Sequence, residues 1–301
     1  MNKTDVKQAD TAKPKKQKKI SMKRRERTFQ AFCYIFLTII AFFQCMPFWL
    51  KLVDATHSPD FLPEPGKIYV WFTDFTLSNF KSVIEYGKLF QALGVSLLHT
   101  VSFTALSMFV VVALGYVLSK KRFRGKKIVT TILMATMMIP GEVMLAANYK
   151  LTIAFGINTS TLGIILPGLV NVFGVFLVSQ YMVNIPDSVL EAASIDGCGE
   201  FRKLFRIVFP MAKPIIMTYV IITFIGTWNE YLFPMILYST SGSESLYTLQ
   251  LAMQNFYPKW GGNADTYLRS AGMILITIPI IIMYIVFQKY ILNQGNTSGI
   301  K

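Results

Sequence analysis

The sequence predicts an all-α membrane protein with six transmembrane helices. Of its 301 residues, 53% are hydrophobic and only 15% are charged, a balance that is unusual for a soluble globular domain. Each apolar stretch reaches the length of about 20 residues that a helix needs to cross a bilayer. The six stretches lie near residues 29–50, 92–118, 128–148, 160–183, 214–238 and 268–291.

The distribution of basic residues predicts which helix ends face the cytoplasm. Eleven Lys and Arg residues lie within residues 1–27, and six more lie between the second and third stretches with no acid among them. Short loops that are rich in Lys and Arg remain on the cytoplasmic side. Both chain termini and the polar segment 185–214 are therefore predicted to be cytoplasmic, whereas residues 51–91 and 239–267 are predicted to be outer loops.

The two tails are expected to have no fold of their own. Residues 1–27 are Lys-rich and predicted to be disordered, and residues 293–301 form a short cytoplasmic tail. A net charge of +14 also suits nucleic-acid binding, but the sequence contains no recognised nucleic-acid module, and a basic tail beside a span is typical of attraction to anionic lipid. The three cysteines, Cys33, Cys45 and Cys198, indicate neither a disulfide framework nor a metal site.

The first outer loop and the second stretch each contain one feature of note. The loop ends in a sequence that predicts a short amphipathic helix, whose apolar face would comprise Phe80, Val83, Ile84, Gly87 and Phe90. The second stretch contains His99. A histidine in a span is predicted to be a hydrogen-bonded packing residue rather than a proton relay, because no carboxylate lies beside it in the sequence.

The third and fourth stretches contain residues that interrupt helices. Pro140 and Gly141 predict a break in the third stretch, and the backbone at a break must face protein or a cavity. Glu142, next to this break, is interpreted either as a pathway residue or as part of an interhelical hydrogen bond. The fourth stretch contains small and polar residues that suit close helix packing, namely Pro167, Gly168, Asn171 and Gly174.

The fifth stretch contains a polar group of four residues in the sequence FIGTWNEYLFP. These are Trp228, Asn229, Glu230 and Tyr231. An aromatic face against C–H groups, with amide and carboxylate groups for hydroxyls, has the chemistry to bind a sugar, so the four residues are candidates for a substrate pathway. An interfacial aromatic belt with one acid is an equally good interpretation.

The polar segment 185–214 predicts two short helices joined at a glycine. Ser188 and Glu191 have the S-x-x-E spacing of a capping box, and Gly197 suits a helix stop. A second helix would then place the apolar residues Phe201, Leu204, Phe205 and Val208 on one face.

The same segment resembles the EAA loop of ABC importer permeases, and we refer to residues 185–214 as the EAA segment. Glu191-Ala192-Ala193, a gap of three residues, Gly197, and then Ile207-Val208-Phe209-Pro210 follow the spacing of that family, with Phe209 where Leu is usual. Segments over residues 85–301, including MIPGE, FIGTWNEYLFP and YTLQLAMQNF, resemble the carbohydrate branch, most closely the MalG-like type.

The resemblance implies the type I ABC importer permease fold, with residues 28–292 as the permease domain and cytoplasmic coupling helices in the EAA segment. It implies that a separate ATPase docks on the EAA segment and that an outer binding protein contacts part of residues 250–263. The implied ATPase-coupling residues are Glu191, Ala192, Ala193, Asp196, Gly197, Phe201, Ile207 and Pro210. The implied binding-protein contacts are Gln254, Asn255, Phe256 and Tyr257.

The implied assembly contains a second homologous permease, two cytosolic ABC ATPase subunits and an extracytoplasmic sugar-binding protein. The implied location is the inner or plasma membrane of a bacterium. No catalytic residue, metal or cofactor is expected in this chain, because no G-x-x-x-x-G-K-[ST] loop occurs in it; ATP and Mg²⁺ would bind to the ATPase. Two alternatives remain open: a permease of the same class for a non-sugar solute, and a secondary transporter that works alone.

Overall fold

The computed structural model describes the backbone of residues 15–64, 66–86, 88–256 and 263–297, and the side chains of residues 26–64, 66–85, 88–254 and 266–288. Within these ranges the chain is helical and contains no strand. The α-helices are α1 (Lys15–Ala55), α2 (Ser78–Tyr86), α3 (Leu89–Lys120), α4 (Lys126–Thr136), α5 (Gly141–Ala154), α6 (Leu162–Ile165), α7 (Val172–Val183), α8 (Asp187–Ile195), α9 (Glu200–Lys203), α10 (Phe209–Met211), α11 (Lys213–Asn229), α12 (Leu232–Ser241), α13 (Leu249–Phe256) and α14 (Asn263–Thr297).

Three helices in the described part of the chain are long and apolar enough to cross a membrane alone. They comprise residues Glu26–Ala55 of α1, the whole of α3, and Thr266–Gln288 of α14. Three further helix pairs pass the same test together, with bends of 103° between α4 and α5, 47° before α7 and 82° before α11. If each bent pair is one span, the total reaches six, but the third pair then includes Glu200–Met211 of the EAA segment, which the sequence predicts to be cytoplasmic.

The predicted break in the third stretch is confirmed. Helix α4 ends at Thr136 and α5 begins at Gly141, directly after Pro140. A proline disfavours helical backbone at the residue before it and donates no backbone hydrogen bond, so the helix ends ahead of it and a new one starts after it.

The fifth stretch differs from the single helix predicted over residues 214–238. Helix α11 ends at Asn229, Glu230 is extended with ψ 124°, and α12 begins at Leu232. In an unbroken helix the ring of Pro234 would clash with the carbonyl of Glu230, four residues earlier. With the break at Glu230, Pro234 lies in the first turn of α12, where a proline is tolerated.

Two further segments contain helices: the N-terminal tail, which is predicted to be disordered, and the predicted outer loop 239–267. Helix α1 begins at Lys15, so the disorder predicted for residues 1–27 is wrong from that residue onward. Lys, Arg and Met favour helices, and a helix that is already nucleated by an apolar span extends readily through them. The outer loop 239–267 contains the whole of α13 and a 3₁₀ turn at Glu244–Leu246.

The predicted amphipathic helix before the second span is confirmed as α2. Val83 on its apolar face is fully buried, and Phe80 and Ile84 pack around the same core. Phe90 is exposed and belongs to α3, and Gly87 lies outside the described residues.

A central core joins α3, α7, α11 and the EAA segment. Gly174 of α7 lies against the ring of Tyr219 of α11: a Cβ at this glycine would be 2.2 Å from Tyr219 Cε2. The hydroxyl groups of Tyr219 and Ser107 of α3 are 2.6 Å apart, and Ser107 donates to the carbonyl oxygen of Leu169. The close packing predicted for the fourth stretch is therefore confirmed at Gly174, which lets α7 and α11 approach each other.

Candidate functional site

The EAA segment forms two short helices joined at Gly197, as the sequence predicts. Gly197 has a φ of 74°, in the left-handed region that favours glycine. Its N–H donates to the carbonyl oxygen of Ser194 at 3.1 Å, and the N–H of Cys198 donates to that of Ala193 at 2.9 Å. This pair of hydrogen bonds is the Schellman motif, which ends α8 and turns the chain toward α9.

The predicted capping box at the start of α8 is wrong. Helix α8 begins at Asp187, one residue before Ser188, and no side chain accepts a hydrogen bond from its first turn. Pro186 fixes an extended backbone at the cap position, so Ser188 is already inside the helix. The carboxylate of Asp187 lies in the first turn, where negative charge interacts favourably with the helix dipole.

Only two of the four apolar residues predicted to share one face of the second EAA helix are buried. Leu204 and Val208 are buried, but Phe201 is 76% exposed and Phe205 is 43% exposed. A π-helical turn over Leu204–Val208 changes the helical period here, so residues spaced by three and four do not remain on one face. The ring of Phe205 stacks on Phe109 of α3, with ring centroids 6.1 Å apart.

Two large apolar side chains on either side of the Gly197 turn in the chain are exposed. Ile195 is 87% exposed and Phe201 is 76% exposed. Apolar side chains at a polar surface segment are typical of a contact site for another protein. Of the other implied coupling residues, Ala193 is buried and Ile207 is half-buried, whereas the remainder are exposed: Glu191, Ala192, Asp196, Gly197 and Pro210.

The C-terminal end of α3 makes polar contacts with both helices of the EAA segment. Lys120 pairs with Asp187 of α8, with Nζ and Oδ1 2.7 Å apart. Glu200 of α9 accepts a hydrogen bond from the Tyr116 hydroxyl at 2.7 Å and pairs with Lys121. Lys120 and Asp187 are 67 positions apart in the sequence, and Tyr116 and Glu200 are 84 positions apart.

The acids in these contacts remain ionised because of their partners. The hydrogen bond from Lys121, followed by that from Tyr116, lowers the pKa of the Glu200 carboxyl from 4.5 to about 2. The hydrogen bond and charge of Lys120 lower the pKa of the Asp187 carboxyl in the same direction.

Sequence reasoning missed Tyr116, Lys120, Lys121 and Lys203 as members of this site. In the sequence, Lys120 and Lys121 stand out only as part of the basic cluster that predicts orientation. A partial signal is present, since both lie next to the end of a span that is predicted to be on the same side as the four acids of the EAA segment.

The four pathway candidates do not share one surface. The side chain of Trp228 is 2% exposed and stacks on Phe224 within a core that α1, α2, α3, α13 and α14 also line. Trp228 therefore packs in the core. In this respect the structure differs from the predicted group of four sugar-binding side chains. Asn229 and Tyr231 are exposed and Glu230 is half-buried at the break between α11 and α12.

The candidate binding-protein contacts lie at the end of α13. Gln254 is exposed, and Asn255 and Phe256 are the last residues of this helix. The side chains of Asn255 and Phe256, and the whole of Tyr257, lie outside the described residues.

The two other candidate polar residues lie in different surroundings. His99 is buried, and a backbone hydrogen bond with Ile164 fits the predicted packing role. Glu142 is exposed in the first turn of α5.

Comparison with known proteins decides the family. Residues 110–293 match the family described as "Binding-protein-dependent transport system inner membrane component". The chain belongs to this family. Relatives of this inner-membrane family include the arabinooligosaccharides transport system permease protein AraQ of Bacillus subtilis (strain 168), 31% identical over 230 residues that cover 76% of this chain and 79% of AraQ. The melibiose/raffinose/stachyose import permease protein MelC of the same organism is 27% identical over 271 residues, covering 87% of this chain and 94% of MelC.

A solved structure shares the fold of this inner-membrane component. The crystal structure of a bacterial ABC transporter involved in the import of the acidic polysaccharide alginate contains a chain that superposes with a TM-score of 0.77 at 24% sequence identity. The match covers 89% of the present chain and 98% of that chain. The predicted ABC importer permease fold is thereby confirmed.

Proposed function

We propose that this chain is the permease subunit of an ATP-driven importer that takes a sugar or oligosaccharide from a binding protein and carries it across the cytoplasmic membrane. The family supports the transport role, because its members are inner-membrane components of binding-protein-dependent systems. The cargo is supported by relatives named for arabinooligosaccharides and for melibiose, raffinose and stachyose. A permease subunit of this kind is not itself an enzyme.

In this proposal ATP hydrolysis occurs on two copies of a separate ATPase, which also bind the ATP and Mg²⁺. A second homologous permease completes the pore as a heterodimer. The exposed apolar side chains of α4 support a further contact surface, since this helix contains no buried residue and exposes Ile128 and Ile132. Both chain termini are cytoplasmic, as the basic residues near the first and second spans predict.

The EAA segment is the contact for the ATPase. The single observation that carries this proposal is its geometry: a two-helix unit exposes Ile195 and Phe201 while polar contacts join it to α3. When the ATPase subunits close around ATP, they move this unit, and the spans rotate as rigid bodies between inward-open and outward-open states.

The substrate path passes the break between α11 and α12. Backbone that is not helical at membrane depth is tolerated where it lines a cavity or faces protein. Asn229, Glu230 and Tyr231 would offer an amide, a carboxylate and an aromatic ring to the cargo there, without Trp228. On the outer side, the binding protein contacts the end of α13, where Gln254 is exposed.

Reconstituted vesicles that contain the full complex test this function. Glu191→Lys is expected to leave the complex inserted and assembled but to abolish ATP-driven sugar uptake, because it places the wrong charge on the exposed face of α8. Normal uptake by this variant would count against docking at the EAA segment, and uptake by vesicles without an ATPase would favour a secondary transporter.

A further inference from the structure

The end of α3 and the EAA segment are joined by an unusually dense set of ionic contacts. Of the six ion pairs in the described part of the chain, three lie in this one region. Two of them cross from α3 to the EAA segment, and the third lies within the segment. We propose that Tyr116 and Lys121 of α3 are positioning residues that hold Glu200, so that a movement imposed on the EAA segment is passed to α3. This inference rests on the proposed ATPase-coupling function.

The carboxylate of Glu200 is the centre of these contacts. Its Oε2 accepts from the Tyr116 hydroxyl at 2.7 Å and pairs with Lys121, and its Oε1 lies 3.1 Å from Lys203 Nζ. Lys203 also donates to the hydroxyl of Ser194 on α8 at 2.6 Å. One carboxylate therefore connects α9 to α3 directly and, through Lys203, to α8.

Lys203 makes this arrangement costly to disrupt. Its side chain is 9% exposed, and a buried ammonium group needs an acid and further acceptors around it. Glu200 and Ser194 supply them. Loss of the Glu200 charge would thus leave a buried cation without its acid, as well as release Lys121.

Lys120 supplies a second connection, to the other helix. Its side chain is 4% exposed, and it contacts Asp187 and the carbonyl oxygens of Val183 and Ile185. The turn that enters α8 is therefore held by the same end of α3 that holds α9. Two links to two helices resist rotation of the EAA segment against α3, whereas a single link would act as a pivot.

The apolar core beneath these contacts extends the connection into the membrane. Tyr116, Leu204 and Val208 share one buried cluster with residues of α7 and α11. The ionic contacts lie at its cytoplasmic edge, where a force from the ATPase would arrive first. A purely apolar contact permits sliding, but a charge pair with a shared hydrogen bond fixes the register between α3 and α9.

A charge exchange tests the inference in the reconstituted full complex. Glu200→Lys and Lys121→Glu each place like charges together, and the double variant restores an opposite pair in reverse. Each single variant is expected to reduce the sugar transported per ATP hydrolysed about tenfold, a size typical of coupled pairs. The double variant should recover part of what Glu200→Lys loses, because it restores an opposite charge at position 121 but leaves the buried Lys203 without its acid. Arg124→Glu is the matched control: it makes the same reversal of charge on an exposed residue of the loop that follows α3, without an ion pair among the described residues, and should leave the ratio unchanged.

A milder variant keeps the test informative if the charge variants fail to insert. Tyr116→Phe removes one hydrogen bond to Glu200 with almost no change in size, and is expected to reduce the transport-to-hydrolysis ratio about threefold while ATPase binding, measured by co-purification, remains intact. A merely structural role would reduce assembly and leave the ratio of the assembled complexes unchanged, which overturns the inference.

The outcomes separate this inference from the proposed function. Unchanged ratios in the single variants, or a double variant whose ratio is no better than that of Glu200→Lys alone, would overturn the positioning role. If Glu191→Lys still abolishes uptake in that case, docking on the EAA segment stands without it. If Glu191→Lys is also without effect, the proposed function itself fails.

Discussion

At the scale of single residues, two positions require glycine for different physical reasons. Gly197 is required for its backbone conformation, since a Cβ there would meet no atom within 4 Å but φ is 74°. Gly174 is required for its small size, since a Cβ there would overlap the ring of Tyr219. The first glycine ends helix α8, and the second lets α7 and α11 approach each other.

Replacement of Gly197 by a β-branched residue tests the turn. Gly197→Val should cost about 1–2 kcal/mol, because L-residues rarely adopt this conformation, and should move α8 relative to α9 and thus reduce uptake per ATP. Gly199→Val is the control, because Gly199 has a φ of −68° and open space around it. Thermal unfolding of the purified complex and vesicle uptake measure both effects. Equal behaviour of the two variants would contradict the turn's role.

Replacement of Gly174 by alanine tests the helix approach. Gly174→Ala should destabilise the permease by about 1–3 kcal/mol, the usual range for overpacking, because the added methyl group must displace the Tyr219 ring or separate α7 from α11. Gly226→Ala on α11 is the matched control, since a Cβ there meets nothing within 4 Å. A lower melting temperature is expected for the first variant alone; an unchanged one would argue against close packing at this point.

At the scale of helices, the sequence predicts features that depend on a few neighbouring residues better than it predicts contacts between distant parts of the chain. The Gly197 stop and the Pro140 break follow from backbone rules that act over a few residues, and both are confirmed. The capping box failed because Pro186 starts α8 one residue early, and the break at Glu230 was missed because Pro234 acts four residues back. The contacts of Lys120 and Lys121 join distant parts of the chain, so they depend on how helices pack, which spacing along the sequence does not report.

The link between α3 and α9 has a defined pH dependence. The folded pKa of Glu200 lies below its ordinary value of 4.5, so its contribution is present above that pH and is lost as the pH falls through about 2. A spin label at Phe201→Cys should therefore report a constant mobility of α9 across the neutral range and greater mobility only in strong acid. Adding Glu200→Gln should raise the mobility at neutral pH. A transition near pH 6–7, where an unperturbed histidine titrates, would contradict the assignment to Glu200.

At the scale of the whole molecule, the helices divide into a packed group and an exposed group. Helices α3, α7 and α11 share one core with the EAA segment. In contrast, α4 buries no side chain in this chain, and the apolar window of α1 is 0% buried. The packed group is suited to move as one body, and the exposed group presents apolar surface to lipid or to other subunits. The six apolar stretches agree with up to six spans, but they do not predict the packing, since apolar residues alone do not show which side of a helix faces another helix.

The central claim is that the EAA segment touches an ATP-hydrolysing partner, and cysteine cross-linking within the intact complex measures it most directly. In a background in which Cys33, Cys45 and Cys198 are replaced by serine, Ile195→Cys and Phe201→Cys should each cross-link to an ATPase subunit, because these side chains are exposed beside the Gly197 turn. Trp71→Cys, at an exposed position in the predicted first outer loop, should not. Cross-links to the ATPase from the two EAA positions alone would agree with the account, and their absence from both positions in an assembled, transporting complex would contradict it.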